Sequence, residues 1–511
     1  MGKDYEEEFY DDEEFPEEEF VQEDQQSKFM MILGTSYGIS ALVHAIALFS
    51  LGFILFFVPS KEKKAIVIAK REVKPQVYDE KLKRDMHKTP KIQAEKPVEK
   101  PIVVLEEEVE ITKDVPKGTD MSNLSNKNLD STSVVDAYGV GGGAAGAYGQ
   151  RWGKGSLNRE GGSEGTESAV QGALRWLKRA QSSDGHWDAD NWTHIAKHPN
   201  EPGGHNAGDA RYDVGLTGLA LLAFLGNGHT HRFGYFKRTV SKGLRWLQKH
   251  QKPNGAIGFE EGETEEIYNH AIATMALCEA FAVSRDFRLK KYAQKAVDYC
   301  IKAQNPGQGW KYGVKPGNND TSVTGWMVLA LKAAKTGGIK VPPQAFEGAQ
   351  NWFKRVTAPD GAVGYQRAGG GSSYIPANKG KYDETQCMTA VSVICRIFTG
   401  ENPSESAIKK GAGLLASGPP SWPSKSEIRK CNFYYWYYGT YAMFQVGGSK
   451  WKDWNKKMQK SLLPNQCTGG PEDGSWPPVG EWCIAGGRVY ATAINALTLE
   501  IYYRYERANN K

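Results

Sequence analysis

Asp213, Asp320 and Asp383 each stand at the start of an apolar run. A carboxylate there caps free N–H groups and opposes the helix dipole. If such a group were also the acid of a reaction, Asp320 and Asp213 are the candidates in this chain. Histidines gather early, at 186, 194, 198, 205, 229 and 231, and none follows His270. On a helix, His194 and His198 would chelate a metal, with His205 or Asp209 as third ligand. Pro199, Pro202, Gly203 and Gly204 make that stretch a loop instead, so no metal and no cofactor are expected. Asp298-Tyr-Cys300 pairs a carboxylate with a thiol and reads as an exposed helix charge beside a buried thiol. The seven cysteines form no CxxC pair, which leaves neither a disulfide framework nor a zinc knuckle. Ser40 and His44 lie four apart in an apolar run and share one helical face.

The elements that must hold these residues repeat. Six times a helix-like run ends in a polar turn built around glycine, usually with an aromatic close behind. The turns are Gln181 to Trp187, Gln251 through Gly255 to Phe259, Gln304 to Trp310, Ala358 through Gly361 to Tyr365, Pro471 to Trp476 and, least regular, Ser417 to Trp422. Amphipathic runs precede the turns: Glu167–Ala180, Arg238–His250, Leu289–Ala303, Pro343–Val356, Ser404–Ala416 and Lys452–Leu463. More apolar runs follow: Asp213–Leu225, Asn269–Val283, Thr321–Ala334, Glu384–Phe398, Tyr434–Val446 and Arg488–Tyr503. A helix apolar on one side lies outside and one apolar on most sides is buried. Alternation of the two predicts an all-α (α/α)6 toroid over 167–505, closed so that each repeat covers its neighbours. Asp-Gly and Asn-Gly supply the positive φ that ends a helix.

Four segments make up the chain. Residues 1–28 carry thirteen Asp/Glu and two Lys in a chain whose total charge is +5. So dense an acidic run is expected to be a disordered tail. Residues 29–58 are almost wholly apolar and long enough for one transmembrane helix, retained as an anchor. Residues 59–166 form a linker, Lys/Glu/Pro-rich and then Gly-rich, with Pro75, Pro90, Pro97, Pro101 and Pro116 favouring extended chain. The toroid follows from 167.

The repeated Gln-to-Trp turns resemble the QW motifs of the terpene cyclase and protein prenyltransferase repeat superfamily, which includes the squalene–hopene cyclases. Gly486-Gly-Arg488-Val-Tyr490 and Tyr434-Tyr-Trp436-Tyr-Tyr438 look like a membrane-anchored bacterial branch of it without assigned chemistry. The cyclase resemblance implies an Asp-x-Asp-Asp-Thr cluster whose middle aspartate protonates an alkene. The matching segment here is Gly317-Asn318-Asn319-Asp320-Thr321, with an amide in the proton donor's place. The prenyltransferase resemblance implies a zinc triad of Asp, Cys and a later His, and the His is missing. Ser40 and His44, with the spacer, resemble the anchor of TonB-type energy transducers. That resemblance implies an inner-membrane motor protein as partner and a periplasmic toroid. Lys61, Lys63 and Lys64 after the span, against Lys28 before it, lean the other way.

With the six inner helix starts at one end, a ligand cavity is expected among Asp213, His270, Thr321, Trp326, Gln386, Tyr437, Tyr438, Arg488 and Tyr490. The resulting expectation is a single-pass inner-membrane protein whose toroid binds an apolar or peptide-like ligand or a partner protein, without catalysis. A lipid- or isoprenoid-processing enzyme with a rearranged acid and an energy-coupled transducer are the alternatives. The bilayer is an expected partner and nucleic acid is not.

Overall fold

The computed structural model describes His44 and residues 161–192, 207–258, 266–371, 373–374, 382–383, 386–480 and 482–504. The chain divides into two units, 1–103 and 104–511. In the first unit only His44, which is exposed, is described. The 1–28 tail, the rest of the 29–58 run, most of the linker, and His194, His198 and His205 lie outside the described residues. Among those residues, no helix is long and apolar enough to cross a membrane.

The second unit holds twelve α-helices among its described residues. The outer ones are α1 (Glu164–Arg179), α3 (Lys237–Lys249), α5 (Phe287–Ala303), α7 (Pro343–Val356), α9 (Ser406–Ser417) and α11 (Gly448–Leu462). The inner ones are α2 (Asp213–Gly226), α4 (Glu266–Ser284), α6 (Thr321–Gly337), α8 (Cys387–Thr399), α10 (Phe433–Val446) and α12 (Cys483–Arg504). Two short strands, β1 (Ser373–Tyr374) and β2 (Tyr382–Asp383), pair antiparallel in the insert before α8. Inner helices touch in circular order, α2, α4, α6, α8, α10, α12 and back to α2, so the ring is closed. α1 begins inside the expected linker, on a capping box in which Ser163 and Thr166 exchange side-chain and backbone bonds. α12 breaks at Gly487 (φ 58°), and its inner part starts at Arg488 as expected.

The turns weld the outer ring. Gln181 Nε2 donates to Gly185 O in its own turn (2.8 Å) and to Thr239 O on α3 (2.9 Å). Gln251 does the same with Gly255 and Tyr292, Gln304 with Gln308 and Ala345, and Gln466 with Gly474 and Ala169. The Gln466 bond returns from the last turn to α1 and closes the circle. Tyr502 adds to this closure by donating to Glu167 Oε1 at 2.6 Å. The indole N–H groups of Trp187, Trp310 and Trp476 donate to Leu177, Cys300 and Leu462 carbonyls at the ends of the preceding outer helices.

Backbone bonds correct the register of two turns. Trp187 N donates to Thr217 Oγ1 on the inner helix, Trp310 N to Thr324 and Trp476 N to Thr492. Ile257 N and Val363 N make the equivalent bonds, to His270 and Thr389. Ile257 and Val363 therefore hold the tryptophan's place. Tyr365, the aromatic expected in the fourth turn, stands two residues later, where Tyr312 stands in the third turn, and Phe259 lies outside the described residues.

Candidate functional site

The same register places Asp213, Asp320 and Arg488 at one position of their repeats, four residues before Thr217, Thr324 and Thr492. Three neighbours give them three roles. Asp320 is the N-cap of α6, accepting from Val323 N at 2.7 Å, and is wholly buried. Its Oδ2 is buried as well and takes no hydrogen bond. Burial pushes this carboxyl up to about 7, against the opposing pull of the Val323 N–H, Lys311, the Tyr365 phenol and the Ser322 N–H. Burial thus favours its protonated, neutral form.

Phenols crowd around it. Tyr312 and Tyr365 share a hydrogen bond of 3.0 Å, and the rings of Tyr268 and Tyr312 lie 5.7 Å apart. Burial and the nearby Asp320 charge lift Tyr312 to about 12 and hold Tyr365 far higher, so both stay neutral hydrogen-bonding groups. Ser322 and Tyr434 share a bond of 2.8 Å in the first turn of α6. Tyr268 and Tyr312 keep part of their surface exposed at this end of the ring, while Tyr365 is buried.

Of the expected cavity residues, Trp326, Tyr437 and Tyr438 come together on the ring axis. Trp326 stacks on Tyr437 (centroids 6.0 Å, 14°) and meets Tyr438 edge-on at 5.5 Å. Each is at most 3% exposed, and Tyr441 is fully buried beside Tyr437. These rings pack against one another instead of facing open space. Thr321 donates to Gly364 O at 2.8 Å and holds the fourth turn. Gln386 and Tyr490 are half-buried near the mouth, Gln386 accepting from Thr389 Oγ1. His270 is elsewhere. It accepts from Ile257 N at 3.1 Å and its other nitrogen meets Ala296 O at 3.0 Å, and burial lowers it to about 4, so it is a neutral joint of the second turn. Arg488 is also committed to a turn. It pairs with Glu472 at 2.6 Å, donates to Ser475 Oγ at 3.0 Å and lies over Trp192.

Asp213 faces the first turn instead. Its Oδ1 accepts from Ala189 N at 2.8 Å, and its Oδ2 lies 3.8 Å from His186 Nε2. The same Nε2 lies 3.6 Å from Asp188 Oδ2, while His186 Nδ1 meets Asp184 Oδ1 at 2.6 Å. Burial, then Asp188 and Asp190, push Asp213 up to about 7 in spite of His186 and the Ala189 N–H. Burial opposes the imidazolium, but Asp188, Asp184 and Asp213 outweigh it and hold His186 at about 9. Asp188 is drawn well below the carboxylate range, since His186 and the Asn191 and Asp190 N–H groups overcome its burial. His186, Asp188 and Asp213 are the residues among those described that could hold a metal ion. Sequence spacing offers His194 and His198, in a stretch expected to be a loop, and does not offer this set, because Asp213 joins His186 only through the fold.

The proton-donor position of the resembled cyclases is occupied by Asn319, whose Oδ1 accepts from Asn305 Nδ2 at 2.8 Å. Asn305 also bonds Asn318 O and Gly317 N, so this amide belongs to a latch in the third turn. Asp298 accepts from Gln294 on an exposed face and Cys300 is buried, as their sequence context implied.

No family model and no curated protein matches the chain. Solved structures similar to it include a novel alpha-amylase from Clostridium perfringens, 16% identical over 66% of this chain and 98% of that one, with a TM-score of 0.43. An inactive variant of the alpha-1,6-mannanase GH76A of Salegentibacter sp. HEL1_6, in complex with alpha-1,6-mannotriose, is 11% identical over 66% and 99%, with a TM-score of 0.46. The type II terpene cyclase MstE from Scytonema is 12% identical over 66% and 97%, with a TM-score of 0.43. At these identities and scores none of them bears on what this chain does.

Proposed function

We propose that the chain is a single-pass membrane protein displaying a non-catalytic (α/α)6 toroid, which takes an apolar ligand with a hydrogen-bonding end at the mouth around Asp320. The buried cluster of aromatic rings on the inner helices carries this reading. Trp326, Tyr437, Tyr438 and Tyr441 are buried against one another, so these rings present no open face to a long substrate. What the mouth offers is aromatic surface on Tyr268 and Tyr312, and beneath it the Tyr365 phenol and the Asp320 carboxyl. An acid raised to about 7 is also a poor proton donor to an alkene, which asks for a strong acid. The anchor rests on the 29–58 run, and the periplasmic placement and the transducer alternative on the resemblance carried by Ser40, His44 and the spacer.

Geranylgeraniol is the probe that tests this, titrated into the full-length chain in detergent. Saturable binding, weakened roughly tenfold by Tyr312→Ala, is expected, with no product from squalene or geranylgeranyl diphosphate. Turnover of either compound, abolished by Asp320→Asn, would establish the enzyme alternative. Unsaturable partitioning, identical in Tyr312→Ala, would remove the mouth as a site.

A further inference from the structure

We propose that His186, Asp188 and Asp213 bind a divalent cation of the zinc or manganese type at the rim of the toroid, joining the first turn to α2. One imidazole nitrogen and two carboxylate oxygens, Nε2, Asp188 Oδ2 and Asp213 Oδ2, all lie within 4.8 Å of one another. The separations from Nε2, 3.6 and 3.8 Å, are too long for hydrogen bonds. They are close to what a shared ion requires, since two ligands each bonded to a tetrahedral ion sit about 3.4 Å apart.

Each of the three side chains is held by its other polar atom, which leaves the ligand atom free to converge. His186 Nδ1 is bound to Asp184 Oδ1 at 2.6 Å, the carboxylate–histidine arrangement that orients metal-bound imidazoles. Asp184 is itself fixed by Trp246, whose Nε1 donates to Oδ2 at 3.1 Å while its ring stacks on the imidazole at 5.0 Å and 17°. Asp188 Oδ1 accepts from Asn191 N (2.7 Å) and Asp190 N (3.1 Å). Asp213 Oδ1 accepts from Ala189 N (2.8 Å).

Charge favours a cation as well. Asp184, Asp188 and Asp213 surround a single imidazole, with Asp190 beside Asp188. Among the described residues no Lys or Arg pairs with Asp188 or Asp213, and Arg211 is taken by Asp209. The three ligand side chains are 15–16% exposed, so an ion can enter and keep water on its open positions. Mixed nitrogen and carboxylate ligation suits zinc or manganese better than magnesium or calcium.

The test is equilibrium dialysis of the chelator-stripped full-length chain against Zn²⁺ or Mn²⁺ with Mg²⁺ and Ca²⁺ in excess, followed by metal analysis. One ion per chain is expected. His186→Ala and Asp188→Asn should each weaken binding roughly tenfold or more, with Asp360→Asn, an exposed aspartate of the fourth turn, unchanged. Replacing His194, His198 and His205 together by alanine should also leave it unchanged; loss there would move the ion to that insert and overturn the assignment. X-ray absorption of the zinc-loaded wild-type chain should show one imidazole with oxygen ligands, which keeps the test sound if a variant fails to fold. Absence of stoichiometric binding by the wild type would show that the imidazolium alone satisfies these carboxylates.

Discussion

Replacing Asp320 by asparagine should make the toroid more stable, by a margin that opens above about pH 4 and is full above about pH 7. Asparagine caps a helix as well as aspartate does, so the bond to Val323 N survives and the ionisation is what changes. In the folded ring Asp320 is held at about 7, against an ordinary 3.8 in the unfolded chain. Between those values the folded state keeps a proton that the unfolded state has released. Stability contributed by the neutral acid is therefore full below about pH 4 and is lost as pH rises to about 7. The gap between the two values is worth roughly 4 kcal/mol, an upper figure because a buried carboxylate recruits water or moves. Urea unfolding of the wild-type and Asp320→Asn chains across this range measures it. The two should agree within about 1 kcal/mol near pH 4 and diverge steadily, with the variant ahead by a few kcal/mol near pH 8. Parallel curves across the whole window would mean that Asp320 titrates normally, and the description of a dry, phenol-screened acid would fall with it.

Two further outcomes follow from the joints of the ring. Gln466→Ala removes two donors from the bond that returns to α1 and should cost roughly 2 kcal/mol in urea unfolding; Gln466→Glu, which sets a carboxylate against the Ala169 and Gly474 carbonyls, should cost more, and a harmless Glu would discount the closure. Gly255 and Gly307 both have positive φ, yet a methyl at Gly255 would meet Lys295 O at 2.1 Å whereas one at Gly307 meets nothing. Gly307→Ala should therefore lose roughly 1 kcal/mol and Gly255→Ala about 3 kcal/mol or more, and equal losses would refute the tight approach of the second turn to α5.

The twelve helices were legible because burial on one face or on most faces leaves a periodic trace, as in the matching stripes Ala173 to Leu177 and Gly243 to Leu247. The site was less legible. Tyr268, Tyr312 and Tyr365 come from α4 and two different turns, and no spacing marks their meeting around Asp320. Tyr312 carries a signal only after Val363 is aligned with Trp310, an alignment made by backbone bonds to threonine that have no counterpart in composition. His186 and Asp188 were visible as turn residues, but Asp213 lies twenty-five residues further on, across an insert. Tyr437 and Trp326 were expected to line a cavity, and they stack on each other in the core. Whether a ring's centre is hollow depends on summed side-chain volume, which the order of residues does not display.

Repetition itself explains how such sites arise. Every joint needs a donor to the next outer helix, a glycine that turns the chain and an acceptor on the inner helix. The copies lose different parts: Thr357 stands where four other turns have glutamine, Ile257 and Val363 where three have tryptophan, and His270 where four inner helices have threonine. Each loss is tolerated because the neighbouring joints hold the ring closed. The position four residues before the inner acceptor is not part of the joint, so it is free to diverge. Asp320 caps a helix there and is buried under phenols, Asp213 turns towards His186, and Arg488 locks Glu472. One backbone position thus produces a neutral acid, a cation ligand and a clamp, and the difference lies in what the adjacent turn presents. If that reasoning holds, Asp213→Asn should leave the pH dependence assigned to Asp320 untouched while weakening Zn²⁺ capture. A change in the Asp320 profile would mean that the two positions share one electrostatic environment rather than standing in separate repeats.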